Sequence, residues 1–303
     1  MKKILCFVMV LLMLMGGAFA ERGLMLGDML EVVNCNEFVT LRAEPSTKAD
    51  ALARIPLGGQ ARWLNVCTDD FTRVLYDGEV GYVLTKYLEP MHAAAIAYED
   101  IDEPAPGTDE YYNINLFLSN FTEQWFQSPA GFCTAETLTD AELVQFAIEH
   151  IWYNRQDLIE DGEYGNGSYN VRLSDQYIPA VCEKYFGRAP ENLSPLYMDY
   201  FGGYYYWQET GGHVPSGFAM LQDVRRAGKD QYRVDFAVYG DGYGWDESVC
   251  ALSETEIAGL HPEYLSPNMS RGFAIINVGP DGTLSDRSTW TLETYLIAHN
   301  DWH

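Results

Sequence analysis

The stretch Phe71-Thr72-Arg73-Val74-Leu75-Tyr76-Asp77-Gly78-Glu79-Val80-Gly81-Tyr82-Val83 reads as two strands joined by a two-residue turn. Asp-Gly fits that turn because both central positions require positive φ, which aspartate tolerates and glycine adopts freely. Upstream, Leu30-Val33, Phe38-Arg42, Ala51-Ile55 and Gln60-Val66 also have strand character. Glu44-Pro45-Ser46 and Pro56-Leu57-Gly58-Gly59 break them apart. Short strands this closely spaced, within about 60 residues, predict a small closed or nearly closed β-barrel.

Four motifs follow one another in this region. They are Val39-Thr40-Leu41-Arg42 with Pro45-Ser46, then Ile55-Pro56-Leu57-Gly58, then Val74 through Tyr76-Asp77-Gly78 to Gly81-Tyr82-Val83, and last Tyr87-Leu88. In that order they resemble a bacterial SH3 (SH3b) domain, over about 60 residues of the chain. The resemblance implies an SH3-like β-barrel of the kind found in exported bacterial proteins, often a module that holds its host to peptidoglycan or another cell-wall polymer. One departure from the family is Trp63, in a strand that ends at Cys67, where small or β-branched residues are usual. Trp63 and Phe71 are the candidate ligand-binding residues of the barrel, because an aromatic ring can stack on a sugar or a peptide. Tyr82 reads as barrel core, and Arg42 with Glu44 as a charged surface pair.

The chain begins with a basic Met1-Lys2-Lys3, an unbroken apolar run from Ile4 to Met15, and an Ala18-Phe19-Ala20 cleavage pattern before Glu21. Residues 1–20 are therefore expected to be a signal peptide, too short for a comfortable membrane span. The mature chain is expected to be extracellular or in the cell envelope, with no stable membrane span. Losing Lys2 and Lys3 takes the formal charge from −25 to −27, and losing Cys6 leaves Cys35, Cys67, Cys133, Cys182 and Cys250. Five is odd, so at least one thiol has no partner within the chain, and spacing leaves the connectivity open. With 44 acidic against 19 basic residues, a nucleic-acid partner is excluded.

The acidity is uneven. Residues 21–90, the barrel domain, are nearly balanced, whereas residues 91–110 carry six acids and no base. That composition predicts a solvated acidic linker. Residues 111–303 form the second domain. Leu116 to Phe126 has helical spacing, and Thr139-x-x-Glu142 is a capping box before a helix that runs to Ile159. A third helix starts near Ser174 and stops at Gly187. Beyond Pro190 the period changes to two at Tyr204-Trp207, Phe218-Arg225, Gln231-Tyr239, Phe273-Val278 and Thr289-Ile297. The expected fold is multidomain: an N-terminal SH3-like β-barrel, then an α+β domain with helices packed on an antiparallel sheet. Lys184-Tyr185-Phe186-Gly187 and Gly203-Tyr204-Tyr205-Tyr206-Trp207 resemble uncharacterised exported domains that accompany bacterial SH3 modules.

A thiol hydrolase would need a nucleophile near a helix start and a histidine base, which makes Cys133, His150 and His213 the candidates. The Asp-Cys-Ser-Gly stretch of the NlpC/P60 family is absent, and Cys133 follows Gly131-Phe132 instead. No metal and no cofactor is expected. His299 and His303 lack the intervening glutamate of a zinc motif, and Asp241, Asp246, Glu247, Asp281 and Asp286 read as solvated turns. In a strand, Tyr204 and Tyr206 share one face and Tyr205 and Trp207 the other. Beside Gly211-Gly212-His213, an exposed Tyr204-Tyr206 pair would make a carbohydrate or peptide platform. The resulting expectation is a noncatalytic envelope protein. Its SH3b module holds peptidoglycan or another wall polymer, and its second domain binds a second ligand or a protein partner. The alternative is a cell-wall hydrolase, either a cysteine peptidase or amidase or a glycosidase, targeted by the same module.

Overall fold

The computed structural model describes residues 24–303 apart from 67, 69, 92–97, 123–131, 166, 210–216, 241–244, 266–269, 281–282 and 299–303. The expected leader therefore lies outside the described residues, as does His213. Seven strands come first: β1 (Met29–Val32), β2 (Phe38–Arg42), β3 (Ala51–Pro56), β4 (Gln60–Val66), β5 (Phe71–Tyr76), β6 (Glu79–Leu84) and β7 (Leu88–Pro90). They form one antiparallel sheet in the order β3-β2-β6-β5-β4-β1-β7. The β5–β6 turn has Asp77 at φ 51 and Gly78 at φ 80, both positive as the Asp-Gly pair requires. Leu30, Val32, Val39, Leu41, Ile55, Ala61, Val74 and Val83, drawn from six strands, meet in a single core. The sheet therefore folds back on itself. The expectation was a closed or nearly closed barrel; no β3–β7 ladder that would close it is present among the described residues.

The rest of the chain runs β8 (Glu99–Asp100), α1 (Asp109–Thr122), β9 (Phe132–Thr134), α2 (Asp140–Asn154), β10 (Ile159–Tyr164), β11 (Tyr169–Ser174) and α3 (Ile178–Phe186). It continues with β12 (Asp199–Phe201), β13 (Tyr204–Trp207), β14 (Phe218–Gly228), β15 (Gln231–Tyr239), α4 (Glu254–Leu260), β16 (Ser270–Asn277) and β17 (Thr291–Ala298). This is an α+β region with two antiparallel sheets, one of six strands in the order β8-β14-β15-β16-β17-β9 and one of four in the order β10-β11-β13-β12.

The six-stranded sheet is covered on both faces. Ala274 and Ile276 of β16 join the main core with Ile114, Phe117, Phe121 and Tyr185 from the helices. Phe273 and Ile275 face the other way and pack with Leu64 and Leu75 of the first sheet and with Leu296. Burying side chains of this size contributes about 1.5–3 kcal/mol each. Two-sided cover explains why β5 is buried from Phe71 to Leu75 and β16 from Gly272 to Ile276 without alternation.

Within residues 91–110, expected as a solvated linker, Asp102, Glu103 and Ala105 to Gly107 are exposed, while the stretch just before them is docked. Glu99 and Asp100 pair with Arg226 and Arg225 of β14. Asp100 lies 3.5 Å from the Arg225 guanidinium, and Ile101 packs against the main core. Asp100 meets Arg225 across the ladder, and Glu99–Asp100 docks as an edge strand.

Beyond that short ladder, the edge of β14 opposite β15 has no neighbouring strand among the described residues, and α1 supplies partners there. The Leu221 N–H donates to Asn115 Oδ1 at 2.7 Å and the Ala219 N–H donates to Ser119 Oγ at 2.9 Å. Asn115 Nδ2 in turn donates to the Cys250 carbonyl at 2.9 Å. Polar side chains on the buried face of a helix thus satisfy an edge that water cannot reach.

The helix α2 starts at the expected capping box, with Thr139 and Glu142 each bonding the other's backbone N–H. It ends at Asn154 instead of Ile159. Asn154 Nδ2 folds back onto the His150 carbonyl at 2.9 Å, and Arg155 leaves helical backbone at φ −143. Leu158 and Ile159 pass into a short turn and β10. Gly187 stops α3 in the left-handed region at φ 69, as its position after the apolar face predicts. Cys35, Cys133 and Cys182 are free thiols, the Cys250 Sγ lies 3.9 Å from Ser119 Oγ, and Cys67 lies outside the described residues.

Candidate functional site

The first sheet carries an open groove of about 610 Å³ beside β2. Phe71, buried at the start of β5, forms part of its floor, together with Leu84. The segment Asn34-Cys35-Asn36-Glu37 makes one wall, bent by Asn34 at φ 58. Phe38, Arg42 and Tyr87 complete the lining. Arg42 is held by a 2.8 Å hydrogen bond from Nη1 to the Ala49 carbonyl. Tyr87 is fixed at its backbone, where its carbonyl accepts from the Val33 N–H at 2.9 Å, and Lys86 Nζ sits 4.9 Å from its ring centroid. The groove therefore offers aromatic surface, amides, one carboxylate and one guanidinium within a single opening, a set that can hold a peptide or amino sugar through stacking and hydrogen bonds.

Phe71 sits where a groove residue should be, but Trp63 does not line the groove. It packs against the first core, and its backbone grips the segment before β1, accepting from the Gly27 N–H and donating to the Asp28 carbonyl. Cys35, Phe38 and Tyr87 were not singled out from sequence as ligand residues. Tyr87 was visible only as the closing motif of the domain.

A second candidate surface is the outer face of the four-stranded sheet. As the alternation predicts, Tyr205 and Trp207 point into the main core. Tyr204 and Tyr206 lie on the opposite face. Arg172 stacks 4.4 Å over the Tyr204 ring and pairs with Glu160 at 2.8 Å. Tyr206 is itself covered, because Tyr164 stacks on it at 4.7 Å. Tyr164 also meets Tyr169 at 6.1 Å and Phe201 at 5.9 Å, both with stacked geometry. Phe201, 64% exposed, presents the outermost ring of this cluster. Gly211-Gly212-His213, expected beside it, lies outside the described residues.

The proposed thiol site has the wrong environment for a nucleophile. Cys133 is buried on β9 opposite Tyr295. Burial first, and then the charge of Glu142, push its thiol well above its ordinary value, so it stays protonated. His150 stacks on Phe146 and meets Tyr185 edge-on at 4.7 Å. Its Nδ1 lies 3.2 Å from Asn154 Nδ2. Burial, then the nearby Lys184, push its imidazole down to about 3. The acidic turns have structural roles: Asp246 accepts from the Ser248 N–H, and Asp286 from the Ser288 N–H and hydroxyl. Among the described residues no three His, Cys, Asp or Glu side chains gather as metal ligands. No helix of the described residues is long and apolar enough to cross a membrane.

Residues 37–89 match the family model of the bacterial SH3 domain, so the groove belongs to a bacterial SH3 domain. Such domains are typical of cell-envelope or extracellular proteins. No curated protein matches the chain. Two solved structures, of NlpC2 and NlpC1 from Trichomonas vaginalis, align over 68% of this chain at 13% and 12% identity, each with a TM-score of 0.19. The chain spans 62% and 59% of their lengths, and scores at that level do not mark a shared fold.

Proposed function

We propose that this is an exported cell-envelope protein whose bacterial SH3 domain holds it to peptidoglycan or another wall polymer. The observation that carries this reading is the open groove at Phe71, Phe38 and Tyr87 inside the segment that matches the bacterial SH3 family. Wall peptides bear amines, carboxylates and amides, and Glu37, Arg42, Asn34 and Asn36 offer complementary groups along that groove. The signal peptide expected at residues 1–20 supports delivery outside the cell.

The second domain, by this reading, takes a second ligand or a protein partner on the Tyr164, Tyr169, Tyr204, Tyr206 and Phe201 face. Stacked rings flanked by Arg172 and Glu160 suit the apolar faces and hydroxyls of a glycan. Burial of Cys133, which pushes its thiol well above the ordinary value, weighs against the thiol version of the wall-hydrolase alternative. Co-sedimentation of the chain from residue 21 onward with purified insoluble peptidoglycan tests the proposal. Retention that competes with soluble wall fragments is expected.

A further inference from the structure

Away from both surfaces, a cavity of about 720 Å³ opens between α1, α2, α3 and the Ser285–Ser288 turn. Its floor includes Phe117, Ile151, Val181 and Tyr185. Lys184 and Arg287 reach it from separate elements, and a third lining cation, Arg155, is paired with Asp157. Burial, and then the charge of Arg287, hold the Lys184 ammonium below its ordinary value, so the two charges sense each other. Neither makes an ion pair with a carboxylate among the described residues. In the same region Arg155, Arg172, Arg188, Arg225 and Arg233 all do.

This arrangement is unfavourable as it stands. Arg287 Nη1 is cut off from solvent and has no hydrogen-bond partner, which is costly for a charged donor. The carboxylates that line the cavity are engaged elsewhere: Glu247 accepts from the Tyr112 hydroxyl at 3.2 Å, and Asp286 caps Ser288. In a chain of formal charge −25, acids are abundant, yet none is placed between these two cations. An anion from outside would supply the missing acceptor and relieve the repulsion.

We propose that this cavity binds a small organic oxyanion, its carboxylate or phosphate head held between Lys184 and Arg287 and its apolar body resting on Phe117, Ile151, Val181 and Tyr185. The site is separate from the SH3 groove and does not depend on wall binding.

The test is a thermal-shift and calorimetric titration of the full chain without its leader, using hexanoate, hexyl phosphate and hexanol as probes. The expected result is a saturable rise in Tm with at least one of the two anions and none with hexanol. Preference between hexanoate and hexyl phosphate assigns the head. Arg287→Met and Lys184→Met each keep an apolar stem and should weaken anion binding by about tenfold or more. Lys184→Met alone should leave the unliganded Tm equal or higher, because a like-charge contact is removed, so loss of binding is not loss of folding. Arg172→Met, on the outer sheet face, should bind as the parent does. Absence of a saturable shift with both anions, or undiminished affinity in both Met variants, overturns the proposal.

Discussion

The Arg233 side chain, 2% exposed, donates from Nη2 to the Leu26 carbonyl at 2.8 Å, so the second strand of one sheet's hairpin reaches the segment that leads into the other sheet. The same guanidinium forms a two-point contact with Asp235 at 2.9 and 2.6 Å and stacks 4.3 Å from the Phe273 centroid. Arg233→Met keeps the stem but leaves Asp235 and the Leu26 carbonyl without their donor. The expected loss is about 2–4 kcal/mol, between a charged hydrogen bond and a broken buried pair. Denaturant unfolding checks it, and a change below about 0.5 kcal/mol, the size of an ordinary surface substitution, would show that the contact contributes nothing.

Gly27 and Gly78 separate two causes of glycine dependence. Both have positive φ, +85 and +80, but a Cβ at Gly27 would overlap the Phe273 ring, whereas one at Gly78 meets nothing within 4 Å. Gly78→Ala should cost about 1–2 kcal/mol of backbone strain. Gly27→Ala should cost about 1–3 kcal/mol more, because the ring must move inside a packed contact. Equal Tm values for the two variants would mean that the Phe273 contact is not tight.

His150 makes stability depend on acid pH. Its imidazole takes up a proton near its ordinary 6.5 when unfolded but only near about 3 when folded. The neutral form therefore contributes stability that is complete above pH 6.5 and is lost as pH falls from there towards 3. One proton corresponds to a slope of at most about 1.4 kcal/mol per pH unit. His150→Phe, which keeps a ring beside Phe146 and Tyr185, should flatten the unfolding free energy across that window. Parallel parent and variant curves would refute the assignment.

Thiol chemistry distinguishes the two ends of the molecule. Cys35 lines the open groove, whereas Cys133 and Cys182 are buried, and burial pushes the Cys182 thiol up to about 12. Alkylation of the folded chain with iodoacetamide should label Cys35 well before Cys133 or Cys182, as read by peptide mass spectrometry, and should impair wall binding. Prompt labelling of Cys133 would restore it as a candidate nucleophile.

Much of this was legible locally. Asp77-Gly78 announced its hairpin because turn chemistry is set by two residues, and Thr139 with Glu142 announced the start of α2 for the same reason. Alternation opposed Tyr204 and Tyr206 to Tyr205 and Trp207, and the latter two join the main core. The β10–β11 hairpin was missed because Glu160, Asp161 and Glu163 give it a polar face, and with it went Tyr164 and Tyr169. Trp63 packs against the first core, which sequence cannot foretell because a large ring in a small sheet looks alike whether it packs or projects. The docking of residues 98–101 and the meeting of Lys184 with Arg287 depend on partners distant in sequence, which periodicity does not register.

The most direct test is binding of the chain from residue 21 onward to purified insoluble peptidoglycan, parent against a Glu37→Gln/Phe38→Ala variant, two exposed groove residues. The account predicts saturable retention of the parent and a loss of about tenfold or more in the variant, at unchanged Tm. No retention of the parent, or equal retention of a folded variant, would contradict wall binding through the SH3 groove.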